Sequence, residues 1–324
     1  MKSHYIGIDL GGTKILAAIA TAQGKILARS KKRTLPKKSP ILSPEDLTRR
    51  IAEMALEVVK KAGLSMDDIV AAGIGAPGPT NIHTGMVFNA VNLPGWEQGF
   101  ALGPSLARHL GCPVWVDNDV NVGLLGEATY GAAQGIADVM GLFVGTGLGG
   151  AIILDGKLRR GFRWGAGEVG HTYLHYPGKM PINVEDVASR GAISKRLAEA
   201  MQEGKSPILA ELVAKRKDGR ITSGVIRKAL AAGDATTQAA VAQVQEALAV
   251  LIASITNLLD PQAFVMGGGL VESLGDAFLV PIRERTRSLF FVQVRTHEVR
   301  IMPAGLGDEA GVLGAVALAQ AMQK

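Results

Sequence analysis

The sequence predicts a two-lobed α/β protein built around a strand–glycine turn–strand unit that occurs twice. In the first copy, at residues 5–20 (YIGIDLGGTKILAAIA), apolar and β-prone residues flank a pair of glycines. Residues 142–154 (LFVGTGLGGAIIL) repeat this plan in the second half of the chain. A third glycine cluster, at residues 266–270, follows an apolar run. The 324 residues have the length of about two domains, which suits one hairpin in each.

The composition is typical of a compact globular protein in a reducing compartment. Hydrophobic residues make up 47% of the chain, which argues against disorder. The single cysteine, Cys112, excludes internal disulfides and cysteine-cluster metal sites. The first strand begins close to the N-terminus and leaves no room for a signal peptide, and the apolar run at residues 247–259 is too short to span a membrane. We therefore expect a cytoplasmic protein that does not bind membranes.

The net charge of +6 does not indicate a nucleic-acid-binding protein. The basic residues form short, scattered clusters that are not interleaved with aromatic residues, so a solvated surface explains them. A mild positive field also favours the recruitment of small anions.

Local signals predict the other elements of the first half. A third strand is expected at residues 25–34. Ser43, Pro44 and the acidic residues after them mark a helix start, and apolar residues then recur at helical spacing until Gly63. The remaining predicted elements of this half are strands at 69–75 and 113–116 and helices at 102–110 and 120–130.

The second half is richer in helices. After a polar, glycine-rich region at residues 159–186, helical spacing predicts helices at 187–203, 208–216, 223–232 and 236–259. Residues 307–319 are rich in Ala and Gly, which predicts a closely packed helix, and we expect this helix to return to the first lobe. The predicted domains are thus a small α/β lobe of residues 1–118 plus about 306–324, and a large α/β lobe of residues 119–305.

Both hairpins have the features of a phosphate-binding turn. Gly11 and Gly12 leave the tip without side chains, so backbone N–H groups can approach an anion closely. Thr13 and Lys14 add a hydroxyl and a cation at the same place, and Asp9 adds a carboxylate. An ordinary hairpin is the alternative for either copy alone, and the duplication favours a nucleotide clamp.

Polar residues outside the hairpins supply donors and acceptors suited to a ring of hydroxyl groups. Asn118 and Asp119 lie where a strand ends and a helix begins, so helix capping is the alternative interpretation for them. Glu168, His171 and Glu185 follow in the glycine-rich region, where a lone His or Glu is more often plain surface. Taken together, these residues indicate a site for a polyhydroxy ligand.

In their order and spacing, these motifs resemble the ROK sugar kinases, and within that family the bacterial glucokinases. The resemblance covers nearly the whole chain and rests on residues 9–14 (DLGGTK), 75–78 (GAPG), 92–96 (NLPGW), 118–119 (ND), 145–150 (GTGLGG), 168–171 (EVGH), 267–269 (GGG) and 307–311 (GDEAG). It implies the two-lobed, ribonuclease H-like ATPase fold that actin, hexokinase and Hsp70 share.

The resemblance also implies a reaction, the ATP-dependent phosphorylation of the 6-hydroxyl of glucose. It implies that Asp119 is the general base and that Mg²⁺ offsets the negative charge that develops during phosphoryl transfer. It further implies that the enzyme is a homodimer. The residues that it implies for sugar binding are Gly75, Asn92, Asn118, Asp119, Glu168, His171 and Glu185. Those that it implies for ATP and Mg²⁺ are Asp9, Gly11, Gly12, Thr13, Lys14, Gly145, Thr146, Gly147, Gly149, Gly267, Gly268 and Gly269.

The chain departs from the zinc-containing members of this family. Those members carry a cysteine-rich segment between the Glu-x-Gly-His motif and the later Glu, whereas residues 172–184 contain no cysteine. We therefore predict that no structural zinc site is present. The chain also begins at the first strand, without the DNA-binding helix-turn-helix of the family's repressors.

Three alternatives stay open. The sugar could be another hexose or an aminosugar, such as mannose, fructose or N-acetylmannosamine, because only a few loop residues select it. The phosphoryl donor could be polyphosphate in place of ATP. A sugar-sensing regulator without catalysis is disfavoured by the presence of Asp119 and of both glycine hairpins.

Overall fold

The structure, a computed structural model, describes residues 2–36, 42–90, 93, 95–174 and 180–323. Its internal contacts divide the chain into two compact units. Unit 1 consists of Met1–Ile136, Lys157–Ala166 and Gly305–Lys324, and unit 2 consists of Ala137–Gly156 and Gly167–Ala304. These units differ from the predicted domains, because the helix after Asn118 and the segment Lys157–Ala166 group with unit 1.

The first 130 residues alternate strands and helices. In chain order these elements are β1 (His4–Leu10), β2 (Lys14–Thr21), β3 (Ile26–Arg33), α1 (Pro44–Lys61), β4 (Ile69–Ala76), β5 (Thr80–Asn81), β6 (Met86–Val87), α2 (Leu102–Leu110), β7 (Val114–Asn118) and α3 (Asp119–Tyr130). The predicted start of α1 is confirmed, since Ser43 is its N-cap and the Ser43 hydroxyl accepts a hydrogen bond from the Asp46 N–H at 3.1 Å.

The rest of the chain is mainly helical. In chain order its elements are β8 (Val139–Val144), β9 (Leu148–Leu154), β10 (Lys157–Leu158), β11 (Tyr173–Leu174), β12 (Ile182–Asn183), α4 (Glu185–Ala188), α5 (Arg190–Gln202), α6 (Pro207–Ala214), α7 (Ser223–Ala231), α8 (Ala235–Leu259), β13 (Ala263–Gly267), α9 (Gly269–Leu274), α10 (Asp276–Ser288), β14 (Arg300–Pro303) and α11 (Ala310–Ala321). The helix predicted at residues 187–203 is broken at Ser189, whose hydroxyl caps α5, and the sequence analysis does not predict α9 or α10.

The sheet of unit 1 has the strand order β3-β2-β1-β4-β7. β1 and β2 form the predicted antiparallel hairpin, with Asp9 opposite Leu16. β4 runs parallel to β1 and to β7, and the register places Asp9 beside Gly75 and Gly75 beside Asp117. Because parallel strands end at the same edge of a sheet, the ends of β1, β4 and β7 bring these residues together.

Helices cover this sheet with two separate sets of buried side chains. One cluster joins the strands to α1 and α2, and includes Ile51 and Leu106. α11 packs against β1, β4 and α3, with Val312 and Ala315 among its buried residues. The last helix therefore lies directly behind the strands that carry the polar edge.

Unit 2 has its own sheet, in which β9, β8, β13 and β14 lie side by side in this order. β8 and β9 form the second predicted antiparallel hairpin, and β13 runs parallel to both β8 and β14. α4 to α10 supply most of the buried side chains that pack with these strands in one hydrophobic core.

Within the described residues, α8 is the one helix with the length and hydropathy of a membrane span. However, 61% of its apolar window is buried inside the protein. Residues such as Leu248 and Ile252 pack in the core of unit 2. We therefore interpret α8 as a core helix.

Candidate active site

A group of carboxylates lies at the edge of unit 1 where β1, β4 and β7 end. Asp9 is the penultimate residue of β1, Gly75 lies beside it on β4, and Asp119 begins α3 directly after β7. Gly75 leaves room for this junction, because a Cβ on it would be 3.2 Å from the Asp119 Cα. Three of the predicted site residues, Asp9, Gly75 and Asp119, thus lie together in unit 1.

Asn118 has the capping role that the sequence analysis considers as the alternative. Its Oδ1 accepts hydrogen bonds from the N–H groups of Val120 at 2.9 Å and Asn121 at 3.2 Å, and its Nδ2 donates to the Gly78 carbonyl at 3.3 Å. The cap fixes the first turn of α3, so the half-buried Asp119 is held at the positive end of the helix dipole. The role predicted for Asn118 in sugar binding stays a prediction.

Asp9 has a strongly perturbed carboxyl group. Burial, followed by the neighbouring Asp119 carboxylate, raises the pKa of Asp9 from 3.8 to about 6, although Lys14 opposes the shift. The first turn of α11 also lies against Asp9, since a Cβ on Gly311 would be 2.7 Å from the Asp9 Cγ. The ionised form of Asp9 is therefore poorly compensated, which is a frequent feature of functional sites.

The turn of the first hairpin is held by backbone contacts and by Thr34. The Gly11 N–H donates to the Lys14 carbonyl at 3.0 Å, and the Thr34 hydroxyl donates to the Gly11 carbonyl at 2.5 Å. Gly12 and Thr13 are exposed at the tip. The tip is therefore fixed in shape and remains open to solvent, as a phosphate-binding turn requires.

Lys14 contacts an acidic residue that the sequence analysis does not assign. Its ammonium group donates to Asp308 at 2.9 Å, and Lys31 contacts the other oxygen of the same carboxylate at 2.8 Å. The two lysines lower the pKa of Asp308 from 3.8 to about 2. Both partners of the Lys14–Asp308 pair are largely exposed, at 44% and 64%, so the pair leaves Lys14 accessible to an anion.

In unit 2, the second hairpin contacts Glu185 and Arg190. The Leu148 N–H donates to Glu185 Oε2 at 2.7 Å, and a Cβ on Gly147 would be 2.2 Å from the same oxygen. On the other side of the turn, Arg190 Nη2 donates to the Thr146 hydroxyl at 2.7 Å. Both side chains come from the first residues of helices, Glu185 from α4 and Arg190 from α5.

The Glu168–His171 segment lies next to Glu185 in the same unit. It forms a 3-10 turn in which the His171 N–H donates to the Glu168 carbonyl at 3.1 Å. Gly170 brings this turn close to the hairpin, because a Cβ on it would be 2.3 Å from the Leu148 carbonyl oxygen and 3.3 Å from the Glu185 Cβ. Glu168 and His171 are exposed, so unit 2 presents three predicted sugar-binding residues beside its glycine hairpin.

The third glycine cluster joins β13 to α9 beside this hairpin. Gly267 is paired with Phe143 of β8. Gly268 has a φ of +93°, and a Cβ on it would be 2.5 Å from the Val144 carbonyl oxygen, so only glycine suits this position. The cluster is therefore a strand-to-helix turn packed on the end of β8.

The sequence analysis does not identify Arg160, Arg190 or Asp308 as site residues. Asp308 is part of a segment that carries the family resemblance, whereas neither arginine stands in a motif that would have marked it. Asn92, a predicted sugar contact, lies outside the described residues.

The chain is similar to known proteins over almost its full length. It matches the ROK family model over residues 5–322. A glucokinase from Halalkalibacterium halodurans is 34% identical over 317 residues, which cover 96% of this chain and 93% of that protein. A glucokinase from Thermotoga maritima is 31% identical over 326 residues, which cover 98% of this chain and 97% of that protein. A solved structure of a ROK family glucokinase from Streptomyces griseus, in complex with glucose and AMPPNP, matches with a TM-score of 0.82 and 30% identity, covering 98% of this chain and 99% of that chain.

The raised pKa of Asp9 predicts that Asp9→Asn stabilises the protein above pH 6. In the wild type, the stability associated with protonated Asp9 is complete below its ordinary pKa of 3.8 and is lost as the pH rises through about 6. Asn carries no charge to bury. The free energy of unfolding of the Asp9→Asn variant should therefore exceed that of the wild type by roughly 1–3 kcal/mol at pH 7.5, and the difference should vanish near pH 4.

Denaturant unfolding of both proteins with EDTA, across this pH range, measures the gain. Asp308→Asn is the control, because the lowered pKa of Asp308 means that its charge stabilises the fold above pH 3.8, and its loss should not stabilise the protein at pH 7.5. An Asp9→Asn variant less stable than the wild type at pH 7.5 would contradict the prediction.

Proposed function

Because the chain belongs to the ROK family, we propose that it is an ATP-dependent glucokinase, which transfers the γ-phosphoryl group of ATP to the 6-hydroxyl of glucose. Its fold is the predicted one, the actin-like ATPase fold of ROK sugar kinases. Glucokinases at 31–34% identity align with 96–98% of the chain, which supports both the reaction and the sugar.

One observation carries this proposal. At the edge of the unit 1 sheet, a glycine hairpin with a poorly compensated carboxylate, Asp9, ends beside the capped helix start that holds Asp119. Phosphoryl transfer needs a place for phosphates, a cation and an aligned acceptor hydroxyl more than it needs covalent catalysis. The edge offers a candidate residue for each of these needs.

Asp119 is the proposed general base. In the proposed reaction, the oxygen of the 6-hydroxyl attacks the γ-phosphorus and Asp119 accepts the hydroxyl proton. The bond between the γ-phosphorus and the β,γ-bridging oxygen breaks, and ADP leaves with the electron pair. The cap at Asn118 fixes the backbone of Asp119, which supports a role that depends on alignment.

The glycine turns are the proposed phosphate and nucleotide contacts. At the tip of the second hairpin the space over Gly145 is open, since a Cβ on Gly145 would meet only the Gly147 carbonyl oxygen, at 3.9 Å, whereas Gly147 lies against Glu185. The residues that we propose for this role are Gly11, Gly12, Thr13, Lys14, Gly145, Thr146, Gly147, Gly149, Gly267, Gly268 and Gly269.

Asp9 is the proposed ligand through which unit 1 holds Mg²⁺, directly or through water. The group fits a cation, because its ionised form is poorly compensated in the protein alone. Within the described residues no three His, Cys, Asp or Glu side chains are clustered for a metal, and Mg²⁺ commonly takes one or two carboxylates together with water and substrate phosphates. When bound, Mg²⁺ offsets the negative charge of the phosphates.

We propose sugar-binding residues for each unit by itself. Unit 1 offers Gly75, Asn118 and Asp119, together with Asn92. Unit 2 offers Glu168, His171 and Glu185, which the second hairpin brings together. A site that pairs each hydroxyl rejects an analogue that leaves one of its polar groups without a partner.

We further propose a homodimer in the cytoplasm that binds neither nucleic acid nor membranes. Unit 2 exposes neighbouring apolar side chains, of which Leu258, Phe291 and Val294 are 79%, 87% and 71% exposed. Their segments are joined by a hydrogen bond from the Phe291 N–H to Asn257 Oδ1 at 2.9 Å. Such a patch is typical of a protein interface, and light scattering that finds only monomers would contradict the dimer.

A coupled ADP-release assay over a panel of sugars, with ATP and polyphosphate as donors, tests the proposed function. We expect the highest kcat/KM with glucose and ATP, because the polar groups of the sugar site would be matched to the glucose hydroxyls. A higher kcat/KM with mannose, fructose or an aminosugar would replace glucose as the substrate. ADP release that no sugar stimulates would refute the kinase assignment.

Asp119→Asn is expected to lower kcat by ~10²-fold or more, the scale that loss of a general base produces. The substitution keeps the shape of the side chain and most of its hydrogen bonding, so glucose binding should persist. Steady-state kinetics and calorimetric titration with glucose measure the two effects. Near-wild-type turnover would leave Asp119 with only a structural role at the start of α3.

The purified enzyme is expected to contain no stoichiometric zinc and to keep its activity after a zinc-selective chelator, provided that Mg²⁺ is present. A structural zinc site normally takes four nitrogen or sulfur ligands. Residues 172–184 contain no cysteine, and Cys112 is buried in unit 1. Elemental analysis that finds about one zinc per chain, lost together with activity on chelation, would contradict this prediction.

A further inference from the structure

We propose that the ion pair between Asp117 and Arg160 is a positioning device that sets the placement of Asp119 for proton transfer. This inference rests on the proposed function, because it concerns the residue assigned there as the base. Neither member of the pair belongs to the predicted site, and both lie in unit 1.

Asp117 is almost completely buried, with 1% of its side chain exposed, and both of its oxygens are used. Oδ2 accepts a hydrogen bond from Arg160 Nε at 2.7 Å. Oδ1 accepts from the Asn118 N–H at 2.8 Å and from Asn121 Nδ2 at 3.1 Å. The carboxylate therefore contacts Asn118, immediately before Asp119, and Asn121, two residues after it.

These contacts determine the direction in which the chain leaves β7. The bond to the Asn118 N–H orients the peptide that leads into the cap, and the bond to Asn121 holds the first turn of α3 on the same carboxylate. Asp119 lies between these two anchors, together with Val120. A shift of the Asp117 carboxylate would consequently shift the backbone that carries the base.

Arg160 fixes the carboxylate from the opposite side. It belongs to the segment Lys157–Ala166, which is closed by a hydrogen bond from the Ala166 N–H to the Arg160 carbonyl at 3.1 Å. Trp164 of this segment packs in the same apolar cluster as Val122 of α3. The segment therefore braces the first turns of α3 by an apolar contact as well as by the ion pair.

A charged pair suits this position better than an apolar contact of the same size. Burying two charges costs desolvation energy, which the attraction repays only when the geometry is good and the remaining hydrogen-bonding atoms are satisfied. Both Asp117 oxygens meet this condition, and an arginine Nε donates in a fixed plane whereas a lysine ammonium rotates freely. The pair thus fixes orientation at a site where a small displacement is costly.

The decisive variant is Arg160→Lys, which keeps the positive charge and removes the planar Nε donor. We expect kcat to fall by ~10- to 100-fold, because misplacement of a catalytic group by about 1 Å costs up to ~10²-fold in rate. KM for glucose and for ATP should stay within about threefold of the wild type, since neither residue is among the proposed substrate contacts. Initial rates of ADP release, per folded protein determined by circular dichroism, measure this split.

Arg283→Lys is the matched control. Arg283 is 24% exposed, close to the 22% of Arg160, and its Nε also donates at 2.7 Å, to the Ile301 carbonyl of unit 2. It pairs with Asp276 through Nη1 at 3.0 Å, so the control loses the planar Nε donor of an arginine that also bonds an aspartate, here an exposed one. We expect its melting temperature to fall while kcat stays within about twofold of the wild type.

Asp117→Asn is the second variant and keeps the test decisive if Arg160→Lys folds poorly. It retains the size of the side chain and an oxygen for the Asn118 N–H, and it should show the same loss of kcat at nearly constant KM. If both variants keep the wild-type kcat and only their melting temperatures fall, the inference is overturned. A raised KM for glucose at unchanged kcat would overturn it as well.

The wild-type rates separate this inference from the proposed function. If the wild type prefers another sugar, glucose fails as the substrate, and the preferred sugar is used to compare the variants. If no sugar stimulates ADP release by the wild type, the proposed function and the inference are refuted together.

Discussion

The close contact of α11 with the backbone of unit 1 is the constraint on which the polar edge depends. A Cβ on Gly73 of β4 would be 1.9 Å from the Ala315 carbonyl oxygen, and one on Gly314 would be 1.7 Å from the Val122 carbonyl oxygen of α3. No side chain fits at either distance, so glycine permits α11 to lie directly on the strand and on α3. The same approach brings the first turn of α11 against Asp9.

The three carboxylates at this edge are compensated in different ways. Asp117 is paired with Arg160 and receives two further hydrogen bonds. Asp119 lies at the start of α3, where the helix dipole favours a negative charge. Asp9 is poorly compensated, and its pKa is raised to about 6. The protein thus bears an electrostatic cost at Asp9, beside the glycine turn, where a bound cation would relieve it.

The sequence predicts the local features of the fold well, because each has a local physical cause. The hairpins follow from apolar strands around glycine turns, and the start of α1 follows from Ser43 and Pro44. Pairings between distant residues are different. Arg160 and Asp117 are 43 residues apart, and no periodicity or motif relates them. The unit boundaries also depend on such contacts, which explains why α3 groups with unit 1 although the chain reaches it after the predicted boundary.

The helix break at Ser189 explains why the sequence analysis also misses Arg190 as a site residue. Helical spacing from residue 187 onward predicts a continuous helix, but the structure ends α4 at Ala188 and begins α5 at Arg190. The break gives the segment two helix starts in place of one, with Glu185 at the first and Arg190 at the second. Their side chains reach the same glycine turn, at Leu148 and at Thr146. In unit 1, by contrast, Thr34 and the backbone hold the corresponding turn. The two hairpins therefore repeat one backbone plan, but Glu185 and Arg190 hold the second one, and these two contacts arise from a helix break that apolar periodicity cannot reveal.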